Sequence, residues 1–190
     1  MNLKDSQTRI NLMRSFAGES QARNRYTYAA EAAKSQSLHV IEAVFKFTAN
    51  QEKEHGKIFY NFLKEMTGEN ITIDGSYPVD IYDDVLKLLR SAQHNEFEEF
   101  EPVYPDFAAV ANQEGFTNIG AKFNQIAKIE KTHGDRFGMF ADLLEQGKLF
   151  VSDVEEEWMC LNCGYVHKSS EAPKSSPPLQ SATSVKVVSP

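Results

Sequence analysis

The sequence predicts an all-α fold, a four-helix bundle with a long crossover between its two halves, on three observations. Four stretches place apolar residues three and four apart, the spacing of a single buried helical face. At 190 residues the chain suits one main domain with a short appendage, and helices of this length in one domain pack as a bundle. Finally, polar residues interrupt the four apolar seams at matching intervals: Glu19 to Glu52 is 33 residues and Glu96 to Glu130 is 34. That is the signature of a helix hairpin used twice, joined by a longer connection.

The first helix is expected to be capped by Asp5 or Ser6 and to run to about Ala33, with a seam of Leu12, Phe16, Glu19, Arg23, Tyr26 and Ala30. A short turn over 34–37 leads to the second, whose seam is Leu38, Ile41, Phe45, Thr48, Glu52, His55, Phe59, Phe62 and Met66, ending near Thr67-Gly68. Residues 69–78 mix turn formers with alternating apolar side chains and read as an extended crossover. The third helix is expected from about Asp80, with Tyr82, Val85, Leu89, Ala92, Glu96, Glu99 and Val103 on its seam. Pro102 and Pro105 fall inside it, so the helix either bends there or breaks and restarts. The fourth follows Gly115, carries Ile119, Phe123, Ile126, Glu130, His133, Phe137, Phe140 and Leu144, and ends at Gln146-Gly147.

Five glutamates and two histidines thus stand where apolar residues belong. A single Glu-x-x-His on a helix is commonly a solvated face, and Glu19 alone carries no information. Here, however, each motif lies in register with its own seam, and an i,i+3 step puts both side chains on one face. An uncompensated buried carboxylate costs several kcal/mol, and a domain with a net stability of roughly 5–15 kcal/mol cannot absorb five. Two divalent cations bring four positive charges against five negative ones and a ferric pair brings six, so the charge count asks for two metals. Oxygen-rich ligation with two imidazoles and no thiolate suits iron or manganese better than structural zinc.

The pattern matches a carboxylate-bridged dimetal bundle, with one glutamate from each of two helices and Glu-x-x-His from each of the other two. Glu19 and Glu96 fill the single-glutamate roles, Glu52/His55 and Glu130/His133 the paired ones, and Glu99 is surplus. Four local words carry a resemblance to a known family: Ala-Gly-Glu-Ser-Gln-Ala-Arg-Asn-Arg-Tyr at 17–26, Gln-Glu-Lys-Glu-His at 51–55, Glu-x-x-Glu before Tyr104-Pro105, and Glu-Lys-Thr-His-Gly-Asp-Arg-Phe at 130–137. Over about residues 5–165 the chain resembles the rubrerythrins.

The resemblance implies a ferritin-like bundle and a non-haem diiron peroxidase that reduces hydrogen peroxide to water. It implies two iron ions held by Glu19, Glu52, His55, Glu96, Glu99, Glu130 and His133, with Glu52 and Glu130 bridging. It further implies that Glu99 and His55 exchange on one iron as the redox state changes, and that the hydroxyls of Tyr26 and Tyr104 lie near the site. For Tyr26, a core aromatic with a satisfied hydroxyl is an equal alternative.

In the same family a rubredoxin-like domain follows the bundle and relays electrons to the iron pair, and Trp158-Met-Cys160-Leu-Asn-Cys163-Gly-Tyr165 looks like its first metal knuckle. Such an iron needs four thiolates from two knuckles. The chain has two cysteines, and the residues after Lys174 are rich in Ser, Pro and Val, as if a reading frame had shifted. The expected organisation is therefore a bundle over 1–150, a partial knuckle over 151–168 and a tail over 169–190 with no packed core. Cys160 and Cys163 are either half of a metal site or two free thiols, and His167 nearby still leaves a ligand set short. The rubredoxin-type iron is in doubt, and an external donor such as rubredoxin or an NADH-dependent reductase is expected to take its place.

Composition agrees. A formal net charge of −7 argues against nucleic acid or an anionic membrane as partner. The polar start and the lack of any apolar run of membrane-spanning length lead to the expectation of a cytoplasmic protein, and two cysteines in one Cys-x-x-Cys fit a reducing compartment. A homodimer or larger homo-oligomer is what the resemblance implies. Two other functions stay open: a ferritin-like ferroxidase that handles iron, and a metal-stabilised interaction scaffold.

Overall fold

The computed structural model describes residues 2–175 and 184–187. Helix α1 spans Gln7–Ser35 and α2 His39–Phe62; an extended crossover then leads to α3, Val85–Glu98, and α4, Tyr104–Gln113, with α5 at Thr117–Glu145. The α3–α4 pair forms one interrupted rod, so four rods make the bundle. A three-stranded antiparallel sheet comes next, with β1 Val151–Cys160 between β2 Val166–Glu171 and β3 Ser184–Val187.

The starts of α1 and α3 are fixed by side chains that satisfy the otherwise unpaired first N–H groups. Ser6 Oγ accepts from the Arg9 amide at 3.1 Å. Glu114, arriving from the end of α4, accepts from the amides of Gln7 and Thr8 at 2.8 Å each and ties that rod to the start of α1. The third helix begins at Val85 rather than near Asp80. Asp84 is its cap, accepting from Leu86 N at 2.9 Å, whereas Asp80 accepts from Arg25 at 2.7 Å and Asn95 at 2.8 Å, which keeps the chain before Asp84 extended.

At Pro102 the rod bends without ending. Glu101 leaves helical geometry (φ −147°, ψ 109°) and the Tyr104 amide donates five residues back to Glu99 O, a wide turn that absorbs the N–H proline lacks. The chain then re-enters regular helix at Tyr104, and that residue is fully buried.

Packing is densest within two hairpins, α1 with α2 and the α3–α4 rod with α5. Two apolar clusters fill the interior. One holds Tyr26, Phe45, Leu89 and Phe137, and the other Leu12, Phe59, Tyr104, Phe123 and Ile126. Between them lies a buried layer of glutamate and histidine. Two seam positions differ from expectation: Arg23 is exposed, with Ala22 in its place on the buried face, and Tyr82 is exposed because it precedes the start of α3.

The terminal sheet is built around Trp158, buried and donating from Nε1 to Ser169 O at 2.9 Å. Cys160 and Cys163 occupy a tight turn in which the Cys160 amide donates to Tyr165 O and the Gly164 amide to Cys160 O, both at 2.8 Å. Gly164 adopts φ +74°, a conformation that favours glycine. Parts of the tail expected to lack packed structure are strands: β2 runs on to Glu171, and Ser184-Val-Lys-Val187 pairs with β1. Its β-branched, alternating sequence suits the otherwise open β1 edge. The remaining tail residues, 176–183 and 188–190, lie outside the described residues.

Candidate metal centre

Each rod delivers its acidic residue through the same local device, a helical face that stays apolar on either side of one polar step. Glu19, Glu52, Glu96, Glu130 and His133 are at most 2 % exposed, and His55 is 6 % exposed. Two glycines allow the rods this close. A Cβ on Gly56 would sit 3.2 Å from Glu19 Cβ, and one on Gly134 would sit 2.8 Å from the Phe97 ring, next to Glu96. Each of these glycines directly follows a histidine of the cluster.

The donor atoms converge in two overlapping sets. Glu19, Glu52, His55 and Glu130 each place one N or O atom within 4.8 Å of the others, and so do Glu52, Glu96, Glu130 and His133. Glu52 and Glu130 belong to both. His55 Nδ1 lies 3.1 Å from Glu52 and 2.9 Å from Glu130, while His133 Nδ1 lies 3.0, 3.3 and 2.8 Å from Glu52, Glu96 and Glu130. The two rings stack with centroids 5.6 Å apart.

These short approaches around His133 are not hydrogen bonds. Both its ring nitrogens, both oxygens of Glu130 and one oxygen each of Glu19, Glu52 and Glu96 are buried without a hydrogen-bond partner. One nitrogen aimed at three carboxylates is the geometry of ligands around a common centre. The residues present therefore fit a pair of metal ions, through oxygen and imidazole donors of the kind iron takes.

Two tyrosines hold the outer oxygens. Tyr104 donates to Glu19 Oε1 at 2.5 Å and Tyr26 donates to Glu96 Oε1. Both hydroxyls are kept protonated, their pKa raised first by burial and then by the neighbouring glutamate. The Tyr26 ring packs against Phe45 and Phe137, with the Arg25 guanidinium over its face at 5.5 Å.

Without metal, the layer is electrostatically divided. Burial, then the charges of Glu130 and Glu52, pushes Glu19 well above the ordinary carboxylate range, and Glu96 rises through burial and Glu52. Burial works against the charged forms of His55 and His133, but the carboxylates around them prevail and hold them at about 9 and about 12. Burial likewise opposes ionisation of Glu52, yet the two histidines draw it down to about 2.

Glu99 stands apart from both donor sets. It is partly exposed and lines a cavity of about 560 Å³ that also reaches Tyr104 and Gly18. Burial and the charges of Glu130 and Glu52 still push its pKa up to about 8. The crossover roofs this cavity: Arg14 pairs with Asp74, Arg25 with Asp80 at 2.7 Å, and Tyr77 donates to Arg14 O at 3.2 Å. None of these roof contacts is readable from sequence, because each joins a loop residue to a helix 55 or more positions away. The glycine after each histidine is a readable signal, since the same Glu-Lys-x-His-Gly word occurs at 52–56 and 130–134.

A rubrerythrin family model matches residues 11–141. The chain belongs to the rubrerythrin family. It is 44% identical over 177 residues to the rubrerythrin of Clostridium perfringens, covering 93% of this chain and 91% of that protein. It resembles a solved structure of nigerythrin in a mixed-valence state at 26% identity and a TM-score of 0.63, covering 96% of this chain and 90% of that one. A bacterioferritin structure from Desulfovibrio desulfuricans aligns at 21% identity with a TM-score of 0.68, over 78% and 86% of the two chains, and shares the ferritin-like fold.

The family is a diiron one, and the buried layer is able to hold two iron ions. An oxidoreductase role follows from the family membership. Cys160 is buried and Cys163 exposed, and two cysteines are two short of a rubredoxin iron. Among the described residues no helix is long and apolar enough to cross a membrane.

Proposed function

We propose that this rubrerythrin is a non-haem diiron peroxidase that reduces hydrogen peroxide to water. The observation that supports it is the pair of four-donor sets sharing Glu52 and Glu130, which suits two ions side by side. In this reading Glu19 and His55 would hold one ion and Glu96 and His133 the other, with Glu52 and Glu130 within reach of both. When bound, the pair supplies one electron from each ion to a peroxide O–O bond.

The chain's own residues do the rest. Tyr104 and Tyr26 fix the outer oxygens of Glu19 and Glu96, leaving the inner oxygens free to ligate. The apolar clusters on either side exclude bulk water. Glu99, on the cavity wall and outside both sets, is a surplus carboxylate that would be available beside His55 to hold one ion as the charge of the site changes. Electrons come from an external donor such as rubredoxin or an NADH-dependent reductase, because Cys160 and Cys163 alone do not make a rubredoxin centre. The acting form is a cytoplasmic homodimer or larger homo-oligomer.

A second reading, a ferritin-like ferroxidase that takes iron as cargo, draws on the bacterioferritin-like fold. A single turnover separates the two. Anaerobic, iron(II)-loaded protein is mixed with hydrogen peroxide and, separately, with oxygen, and iron is counted in the same samples. The peroxidase reading expects two irons per chain oxidised much faster by peroxide. Faster oxidation by oxygen, or more than two irons retained, would establish the ferroxidase instead.

A further inference from the structure

We infer that the cavity beside Glu99 is a binding site for organic hydroperoxides, so that the substrate class extends beyond hydrogen peroxide. The inference rests on the peroxidase reading and adds to it the shape of the molecule admitted.

Hydrogen peroxide needs little room. The cavity is about 560 Å³, whereas a water occupies only about 30 Å³ of liquid, and small-molecule sites run roughly from 300 to 1,000 Å³. Its walls are of two kinds. Tyr77, Val103 and Phe107 offer an apolar surface, and Arg14, Arg25, Asp74 and Asn95 are among the polar residues that line the rest. Glu99 and Tyr104 form the end nearest the metal layer, where Tyr104 holds Glu19. A molecule with a hydroperoxide head and an apolar body can place its head at Glu99 and its body against Tyr77 and Phe107.

The space is also preformed. Tyr77 is held by its bond to Arg14 O and by close packing on Gly75, where a Cβ would meet the ring at 2.8 Å. Gly18 lies beside this ring: a Cβ there would meet Tyr77 Cε1 at 3.8 Å, ordinary contact, and nothing else within 4 Å. A ligand that finds its site already shaped loses less freedom on binding.

The reaction balances without any new reagent. The O–O bond of ROOH breaks, two electrons from the ferrous pair and two protons from solvent are taken up, and ROH and water leave. The alcohol ROH keeps the apolar body and is itself a ligand for the cavity.

The test uses cumene hydroperoxide and its alcohol, 2-phenylpropan-2-ol. Anaerobic iron(II)-loaded protein is mixed with hydrogen peroxide or cumene hydroperoxide, and binding of the alcohol to the oxidised, iron-loaded chain is followed by calorimetry. Wild type is expected to be oxidised by both peroxides. Gly18→Leu, which projects a side chain into the cavity, is expected to lower the cumene-to-hydrogen-peroxide rate ratio at least tenfold and to abolish the heat of alcohol binding. Should Gly18→Leu fold poorly, Tyr77→Ala removes one apolar wall and is expected to weaken alcohol binding about tenfold. Oxidation by hydrogen peroxide alone, or alcohol affinity unchanged in these variants, overturns the inference and leaves the peroxidase standing. Failure of both peroxides to oxidise the iron removes the peroxidase reading, and this inference with it.

Discussion

Glu52 and Glu130 sit across the core from one another, and each lies within 3.1 Å of both His55 and His133. No other carboxylate of the layer approaches both rings this closely. Replacing either should therefore disturb both metal positions, while replacing Glu19 or Glu96 should disturb one. Glu130→Gln is expected to retain fewer than two irons per chain after desalting, with the helical circular dichroism unchanged. Two tightly held irons in that variant would exclude the shared arrangement.

The metal-free protein should be most stable in mild acid. His55 and His133 are raised from 6.5 to about 9 and about 12, and Glu99 from 4.5 to about 8. A group whose folded pKa is raised stabilises below its unfolded pKa, and that contribution is lost as pH climbs through the folded value. Glu52, lowered to about 2, acts in the opposite sense, stabilising above 4.5 and losing that contribution as pH falls toward 2. The Tm of metal-free protein is accordingly expected to fall between about pH 6.5 and 9. Iron-loaded protein should not follow, because metal binding needs deprotonated ligands and strengthens with pH. Parallel pH profiles for the two forms would count against this account.

Tyr104→Phe removes the bond that holds Glu19 Oε1. Loss of a group supporting a metal ligand weakens metal binding by about 10–100-fold. Competition against a chelator should reveal that loss, and the apolar ring should keep its packing against Phe59 and Phe123.

Gly134→Ala reverses an ordinary expectation. In an exposed helix, alanine for glycine stabilises by about 1 kcal/mol. At Gly134 the new Cβ meets the Phe97 ring at 2.8 Å, so overpacking of about 1–3 kcal/mol should win and the urea midpoint should fall. A raised midpoint would mean that α3 and α5 separate easily.

Glu99→Ala addresses the surplus carboxylate of the proposed peroxidase. Because Glu99 lies outside both donor sets, iron content is expected to stay near two per chain while oxidation by peroxide slows about tenfold or more. Unchanged single-turnover rates would remove Glu99 from the mechanism.

Much of the bundle and its centre is legible in the residues. Period and register place Glu52, His55, Glu130 and His133 on buried faces, since a polar step inside an apolar seam has nowhere else to point. The same pattern misplaces Arg23, because residues three and four beyond Glu19 are both compatible with the helical period, and the smaller Ala22 packs. The start of the third helix is misread for a different reason. Asp80 and Asp84 are equally good caps by composition, and what separates them is a contact from Arg25, remote in sequence. Pro102 is readable as a disturbance but not as a wide turn that carries Tyr104 inward. Pairing of Ser184–Val187 with β1 escapes the sequence because tail composition says little about an available sheet edge.

The two hairpins divide the centre between them. The first contributes Glu19, Glu52 and His55 to one position, the second Glu96, Glu130 and His133 to the other, and each position is completed by a carboxylate from the opposite hairpin. Neither hairpin can assemble a full coordination sphere by itself; each lends one ligand and borrows one. The crossover tethers the halves, so the borrowed carboxylate acts at a high effective concentration set by that tether. Iron affinity is then a gauge of how firmly the halves dock. Any change that loosens them, however far from the glutamates, will register as weaker retention of both ions together.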